Sequence, residues 1–152
     1  MIPAPYRAAL AAVLLDQLSK AWALQHLAGR GIQPLLPGLL QQQLVFNTGA
    51  AFSMLSGNTA ALAVVSTLVA AGLVVWIQTA GPLRRLQALG LGLLLGGAIG
   101  NGIDRWRLGR VVDFLEFVPI SFPVFNVADV AINLAVACLV LDGLRQHGAR
   151  QR

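Results

Sequence analysis

At 152 residues the chain has room for one domain. Its hydrophobic fraction is 57% and its charged fraction 11%, whereas an ordinary soluble domain holds about 45–50% and 25%, so the composition is that of a membrane protein. The net charge of +5 comes from 11 Lys+Arg against 6 Asp+Glu, but these cations stand mostly at the ends of apolar runs, which reads as membrane topology and not as a nucleic-acid-binding face.

The first predicted helix runs from about Tyr6 to Leu27, about the 20 residues needed to cross a hydrocarbon core. It is read as a retained span, because Asp16 and Lys20 interrupt it and no small-residue cleavage site follows. Those two residues lie four apart on one face, so they can pair with each other or reach a neighbour. Residues 28–57 are too polar to span and are expected on the membrane surface. Gly29, Gly31, Pro34, Pro37 and Gly38 are turn formers, Gln41 to Phe46 reads as a short strand, Asn47-Thr48-Gly49 as a turn, and residues 50–55 as a short amphipathic helix.

A second span is expected over 59–79, where Ser66 and Thr67 are the polar exceptions and the helix reads as scaffold. A third covers 86–103. Its Gly92, Gly96 and Gly100 recur every four residues, which forms a face on which another helix can approach closely. Residues 104–124 are taken as a loop because Pro119 and Pro123 break helices. The fourth span is expected over 125–144, with Asn126, Asp129 and Asn133 within an arc of roughly 60° at 100° per residue. The expected fold is thus an all-α integral membrane protein, a single membrane domain over 1–152 with four transmembrane helices and a small surface sheet. With both termini in the cytoplasm, six arginines (Arg7, Arg84, Arg85, Arg145, Arg150, Arg152) lie inside and four (Arg30, Arg105, Arg107, Arg110) outside. This orientation follows the positive-inside rule. It gathers residues 28–57, Asp113 and the start of the fourth helix on the outer side.

Asp113 and Asp129 are the candidate catalytic groups. A carboxylate in a span costs about 2.5 kcal/mol or more at a helix centre and is by default a functional-site hypothesis. Two in close approach cannot both ionise readily, so the ionised one can activate water while the protonated one donates to a scissile carbonyl. Other chemistries are poorly supplied. His26 and His147 have no companion ligands for a metal. Cys138 lies in an apolar run as a packing residue, and a lone cysteine excludes an internal disulfide. Pattern alone leaves a proton or small-ion carrier using Asp16, Asp113 and Asp129 open, and also a non-enzymatic scaffold in which the aspartates bond helices together.

At these residues the sequence resembles the bacterial lipoprotein signal peptidases (signal peptidase II). The resemblance rests on five blocks in order: Asp16-Gln17-Leu18-Ser19-Lys20, Asn47-Thr48-Gly49-Ala50-Ala51-Phe52-Ser53, Gly96-Gly97-Ala98-Ile99-Gly100-Asn101-Gly102-Ile103-Asp104-Arg105, Val111-Val112-Asp113-Phe114 and Phe125-Asn126-Val127-Ala128-Asp129. It implies a multi-pass aspartic endopeptidase of the inner membrane, without cofactor or metal, whose dyad is Asp113 and Asp129 on the periplasmic side. The implied substrates are prolipoproteins carrying a diacylglyceryl group on the lipobox cysteine, cut just before that cysteine. Asn47, Gly49, Asn101 and Arg105 would contact substrate, Asn126 and Ala128 would flank the dyad, and Asp16, Lys20 and Gly97 would support the site. Further implications are a β-cradle with a short helix over the site, contact with membrane lipid, blockade by globomycin-type inhibitors, and a monomer.

Overall fold

The computed structural model describes residues 2–49, 58–120 and 122–150. Four helices and three strands follow in the order α1 (Ala4–His26), β1 (Gln33–Leu36), β2 (Leu40–Asn47), α2 (Thr59–Thr79), α3 (Arg85–Leu108), β3 (Val111–Phe117) and α4 (Val127–Arg150). Each boundary has a local cause. Pro5 sits in the first turn of α1, where a missing N–H is harmless. Asn58 caps α2 by accepting from the Ala61 N–H. Gly109 closes α3 with a left-handed φ of 65°. Asn126 and Asp129 form a reciprocal cap at the start of α4, each side chain accepting from the other's backbone N–H.

The strands form one antiparallel sheet in the order β1-β2-β3. β2 pairs with β3 so that Val45 stands opposite Asp113 and Asn47 opposite Val111. The sheet leans on the end of α1 through a small core of Ala23, Leu27 and Phe114. That core fixes β3, and therefore Asp113, against the helices.

α3 is the central helix and packs against α1, α2 and α4. Glycine makes this possible on two of its faces. A Cβ at Gly92 would lie 2.3 Å from the Pro5 carbonyl oxygen, and one at Gly96 would lie 2.6 Å from the Ala12 Cβ, so this row lets α1 approach to backbone contact. On another face a Cβ at Gly90 would lie 2.8 Å from the Leu139 Cγ, and one at Gly97 would lie 2.5 Å from the Ile132 Cγ1, which admits α4. The close-packing face expected from the glycine repeat is present, together with a second one.

Among the described residues three helices are long and apolar enough to cross a membrane: α2, α3 and residues 127–147 of α4, with mean hydropathies of 2.4, 1.4 and 2.0. α1 has the length but not the apolarity, because Asp16, Gln17 and Lys20 interrupt its middle. The limits of the helix α2 are those expected for the second span, whereas α3 and α4 run on past those expected for the third and fourth. α3 continues through Asn101, Asp104 and Arg105 because these polar side chains point to protein partners and give the chain no reason to stop before Gly109. The segment 104–124 is not simply a loop. It contains the last turn of α3 and the strand β3, whose Val-Val-Asp-Phe-Leu-Glu-Phe run suits a sheet. Its prolines act only after that strand ends. The short helix expected over 50–55 lies outside the described residues.

The glycine faces lead to a direct test. Gly92→Ala and Gly96→Ala should each lower stability by about 1–3 kcal/mol, because the new methyl group meets backbone that cannot yield. Gly72→Ala on α2, where no atom lies within 4 Å of the new Cβ, should leave the Tm in detergent unchanged or slightly raised. Equal behaviour of the three variants would show that α3 is not packed to backbone contact.

Candidate active site

The site is built on a buried ion cluster. Asp16 and Lys20 stand one turn apart on the face of α1 that meets α3, and they are 0% and 2% exposed. The Lys20 Nζ lies 2.9 Å from the Asp16 Oδ2 and 3.0 Å from the Asp104 Oδ2, and it donates to the Asn101 Oδ1 at 2.9 Å. Its three protons are thereby all placed. The carboxylates spend their remaining capacity on backbone: the Asp16 Oδ1 accepts from the Ala128 N–H at 2.9 Å, and the Asp104 Oδ2 from the Val112 N–H at 3.0 Å. Gln17 donates to both carboxylates and to the Gly100 carbonyl. One cluster thus ties α1 to α3, to the first turn of α4 and to β3. Buried charges are tolerable when paired and hydrogen-bonded in this way.

Three asparagines carry this order to Asp113 and Asp129, and each has its amide orientation fixed by a group that can only donate. The Asn101 Oδ1 must face the Lys20 ammonium, so its Nδ2 turns to the Asp129 Oδ1 at 2.9 Å. The Asn126 Oδ1 accepts from the Asp129 N–H, so its Nδ2 turns to the Asp113 Oδ1 at 2.6 Å and to the Asn101 Oδ1 at 3.0 Å. The Asn47 Oδ1 accepts from the Gly49 N–H, so its Nδ2 turns to the Asp113 Oδ2 at 3.0 Å. Asp113 and Asp129 share no hydrogen bond among the described residues. Asn126 and Asn101 stand between them as a bridge.

Asp113 is 2% exposed on β3, and Asp129 is half-buried in the first turn of α4. Burial, and then the neighbouring charge of Asp129, push the Asp113 carboxyl up from 3.8 to about 6. Both residues line a cavity of about 1010 Å³ that also touches Asn47, Asn101 and Arg105 and runs between α2 and α4. The Arg105 guanidinium donates to the Gly49 carbonyl at 3.3 Å, so α3 also holds the turn after β2. Two carboxyl groups of unlike environment facing one cavity can divide the roles of base and acid. Among the described residues no group of three or more His, Cys, Asp or Glu could hold a metal ion.

Every site residue read from the sequence belongs to this constellation. Asp16 and Lys20 lie beneath it, Asn47 and Gly49 on its sheet side, and Asn101 and Arg105 on α3, with Asn126, Ala128 and Asp129 at the head of α4. Gly97 is the point at which α3 admits α4, through contact with Ala128 and Ile132. The third member of the expected polar stripe, Asn133, is exposed on the cavity rim and donates back to the Asp129 carbonyl. The sequence reading gave no role to Asp104 or Gln17. Asp104 follows Asn101 by three residues on the same helix, a spacing that places it on the same side and could have found it. Gln17 had no such signal.

A family model described as "Signal peptidase (SPase) II" matches residues 8–145. A lipoprotein signal peptidase of Synechococcus sp. (strain RCC307) is 54% identical over 136 residues, which is 89% of this chain and 90% of that protein. One from Parasynechococcus marenigrum (strain WH8102) is 52% identical over 130 residues, 86% of this chain and 82% of that protein. Among solved structures, a bacterial membrane enzyme determined by the in meso method at 2.3 Å resolution superposes with a TM-score of 0.87 at 26% identity, covering 94% of this chain and 88% of that one.

Two measurements test the electrostatics of the site. A carboxyl group raised in the folded state binds its proton more tightly there than in the unfolded chain. Its stabilising contribution is therefore present at low pH and is lost as pH rises from 3.8 to about 6. Thermal unfolding in detergent across that window should show stability falling by on the order of 3 kcal/mol, with Asp113→Asn flattening the slope. An equally steep slope in the variant would assign the effect to another group. In turn, Lys20→Met should destabilise by about 3–5 kcal/mol, because it leaves Asp16 and Asp104 buried without a counter-charge. A Tm near that of the wild type would mean that the cluster is not bearing those charges.

Proposed function

The chain belongs to the signal peptidase (SPase) II family, and from that premise we propose that it removes the signal peptide from prolipoproteins as an aspartic endopeptidase, with Asp113 and Asp129 as its dyad. The observation that carries this reading is the meeting of two carboxyl groups from different elements, β3 and α4, on one cavity, with Asp113 raised to about 6. A carboxyl group raised this far keeps its proton closer to neutral pH than an ordinary aspartate does, and the reaction asks one member of the pair to carry a proton. The ionised member takes a proton from a water as that water attacks the scissile carbonyl. The protonated member donates a hydrogen bond to the carbonyl oxygen as it gains charge, and the amide nitrogen leaves with a proton returned from the pair. The roles of base and acid are assigned to the pair and not to a fixed residue. The Asn47, Asn126 and Asn101 amides hold the two carboxyl groups in place, so little reorganisation accompanies the chemistry. The chemistry needs no cofactor.

We read α1 as a fourth span in a single membrane domain. Its outward Leu10, Leu14, Leu15 and Leu18 are exposed and suit lipid, whereas its charges face inward to α3. In a bacterial inner membrane with cytoplasmic termini, the sheet and the dyad then lie at the periplasmic edge. A diacylglyceryl-modified cysteine would present its peptide at that level while its acyl chains stay in the bilayer. The apolar wall of the cavity, with Val65 and Val69 of α2 facing Val130 and Leu134 of α4, suits such a substrate and a globomycin-type inhibitor. Asn47, Gly49, Asn101 and Arg105 are the groups placed to meet the peptide, and a monomer contains all of them.

The test is cleavage of a diacylglyceryl-modified lipobox peptide by the purified protein in detergent. Wild type should cut before the cysteine and be blocked by globomycin, while Asp113→Asn and Asp129→Asn should lose activity by about 10³-fold or more and keep their fold. Near-normal turnover by either variant would remove that residue from the dyad. Proton flux in proteoliposomes without proteolysis would favour a carrier instead.

A further inference from the structure

The sequence makes α2 a plain wall, yet its two central polar residues each reach a different side chain of α3. The Thr67 Oγ1 accepts from the Trp106 Nε1–H at 3.0 Å and donates to the Ala63 carbonyl of its own helix at 2.9 Å. The neighbouring Ser66 Oγ accepts from the Arg105 Nη1 at 3.3 Å. Consecutive residues of one helix thus hold consecutive residues of another. A hydroxyl in an apolar helix usually returns to its own backbone, as Thr67 does, whereas Ser66 points its oxygen at the cavity's arginine.

The other acceptors of Arg105 explain why this bond matters. Its Nη1 also reaches the Asn101 carbonyl at 3.4 Å, and its Nη2 reaches the Gly49 carbonyl at 3.3 Å. Its Nε is buried without a partner among the described residues. One of these carbonyls belongs to α3 itself and the other to the turn after β2. Among the described residues Ser66 is therefore the side-chain acceptor that holds the guanidinium, and it ties that group to the α2 wall. α2 packs on α3, and the cavity opens between α2 and α4. A guanidinium released from Ser66 would lose its set position across that opening.

We infer that Ser66 is a positioning residue, which holds Arg105 across the cavity in the orientation that binds the peptide, while Thr67 and Trp106 only dock α2 on α3. The inference rests on the peptidase reading given above. It reaches a residue that the motif blocks do not contain, and it separates two adjacent hydroxyls by role.

The experiment compares Ser66→Ala, Ser66→Thr and Thr67→Val with wild type, using the diacylglyceryl-modified lipobox peptide and the Tm in detergent. Ser66→Ala should raise KM by about fivefold with kcat nearly unchanged, as expected for one hydrogen bond lost from ground-state binding, and Ser66→Thr should restore it. Thr67→Val should lower the Tm and leave KM alone. If Ser66→Ala merely lowers the Tm as Thr67→Val does, or leaves KM at the wild-type value while wild type cleaves normally, the positioning role is overturned and the peptidase reading stands. A folded wild type that does not cleave overturns both.

Discussion

A single buried ammonium organises this protein. Lys20 lies in the middle of a helix, out of water, and two carboxylates and an amide oxygen surround it there. Because an ammonium can only donate, Lys20 decides which way Asn101 points. Asn101 in turn presents its amide hydrogens to Asp129. The same logic recurs where the backbone N–H groups of Asp129 and Gly49 orient Asn126 and Asn47. The carboxyl groups on the cavity thus receive hydrogen bonds whose direction is set from beneath, by groups with no alternative. In a low-dielectric interior such fixed dipoles act strongly and need no rearrangement when charge moves.

This arrangement needs backbones in near contact. Side chains of α1 and α3 meet there with the backbone N–H groups of Val112 in β3 and Ala128 in α4, and such backbone donors are reached only where the elements approach closely. The glycines of α3 remove the side chains that would keep α1 and α4 apart. Gly100 shows the coupling most directly. A Cβ there would lie 2.6 Å from the Asp16 Oδ2, so the absence of a side chain leaves the space that the carboxylate occupies. Packing and electrostatics are therefore one constraint here, and a change to either would disturb the other.

The two walls of the cavity differ in kind. α3, β3 and the head of α4 are locked by buried ion pairs, capping bonds and sheet pairing. α2 carries no such cluster and is held to α3 by apolar packing and by the hydroxyls of Ser66 and Thr67. This asymmetry suits the proposed reaction: the side carrying Asp113 and Asp129 would keep its geometry, while the side proposed to admit an acyl chain and a peptide would be built largely of lipid-compatible surface.

The sequence by itself determined the apolar helices, the close-packing glycine row and the candidate carboxyl groups that the structure brings to one cavity. Helical periodicity, turn formers and isolated charges in apolar runs are local signals that survive without a structure. Residues 104–124 read as loop from the sequence because a strand declares itself through its partner. Val111 to Phe117 becomes β3 only when β2 lies beside it, with a bulge that resets the register between Gln42 and Val45. Tertiary structure alone decided that the Asp104 carboxylate meets the Lys20 ammonium, although its helical spacing from Asn101 was legible, and that asparagines separate the two aspartates. It also decided that a serine of the scaffold helix reaches Arg105. Each of these depends on the distance between atoms far apart in the chain. The sequence names the groups that can donate and accept, but only the packed backbone determines which of them meet.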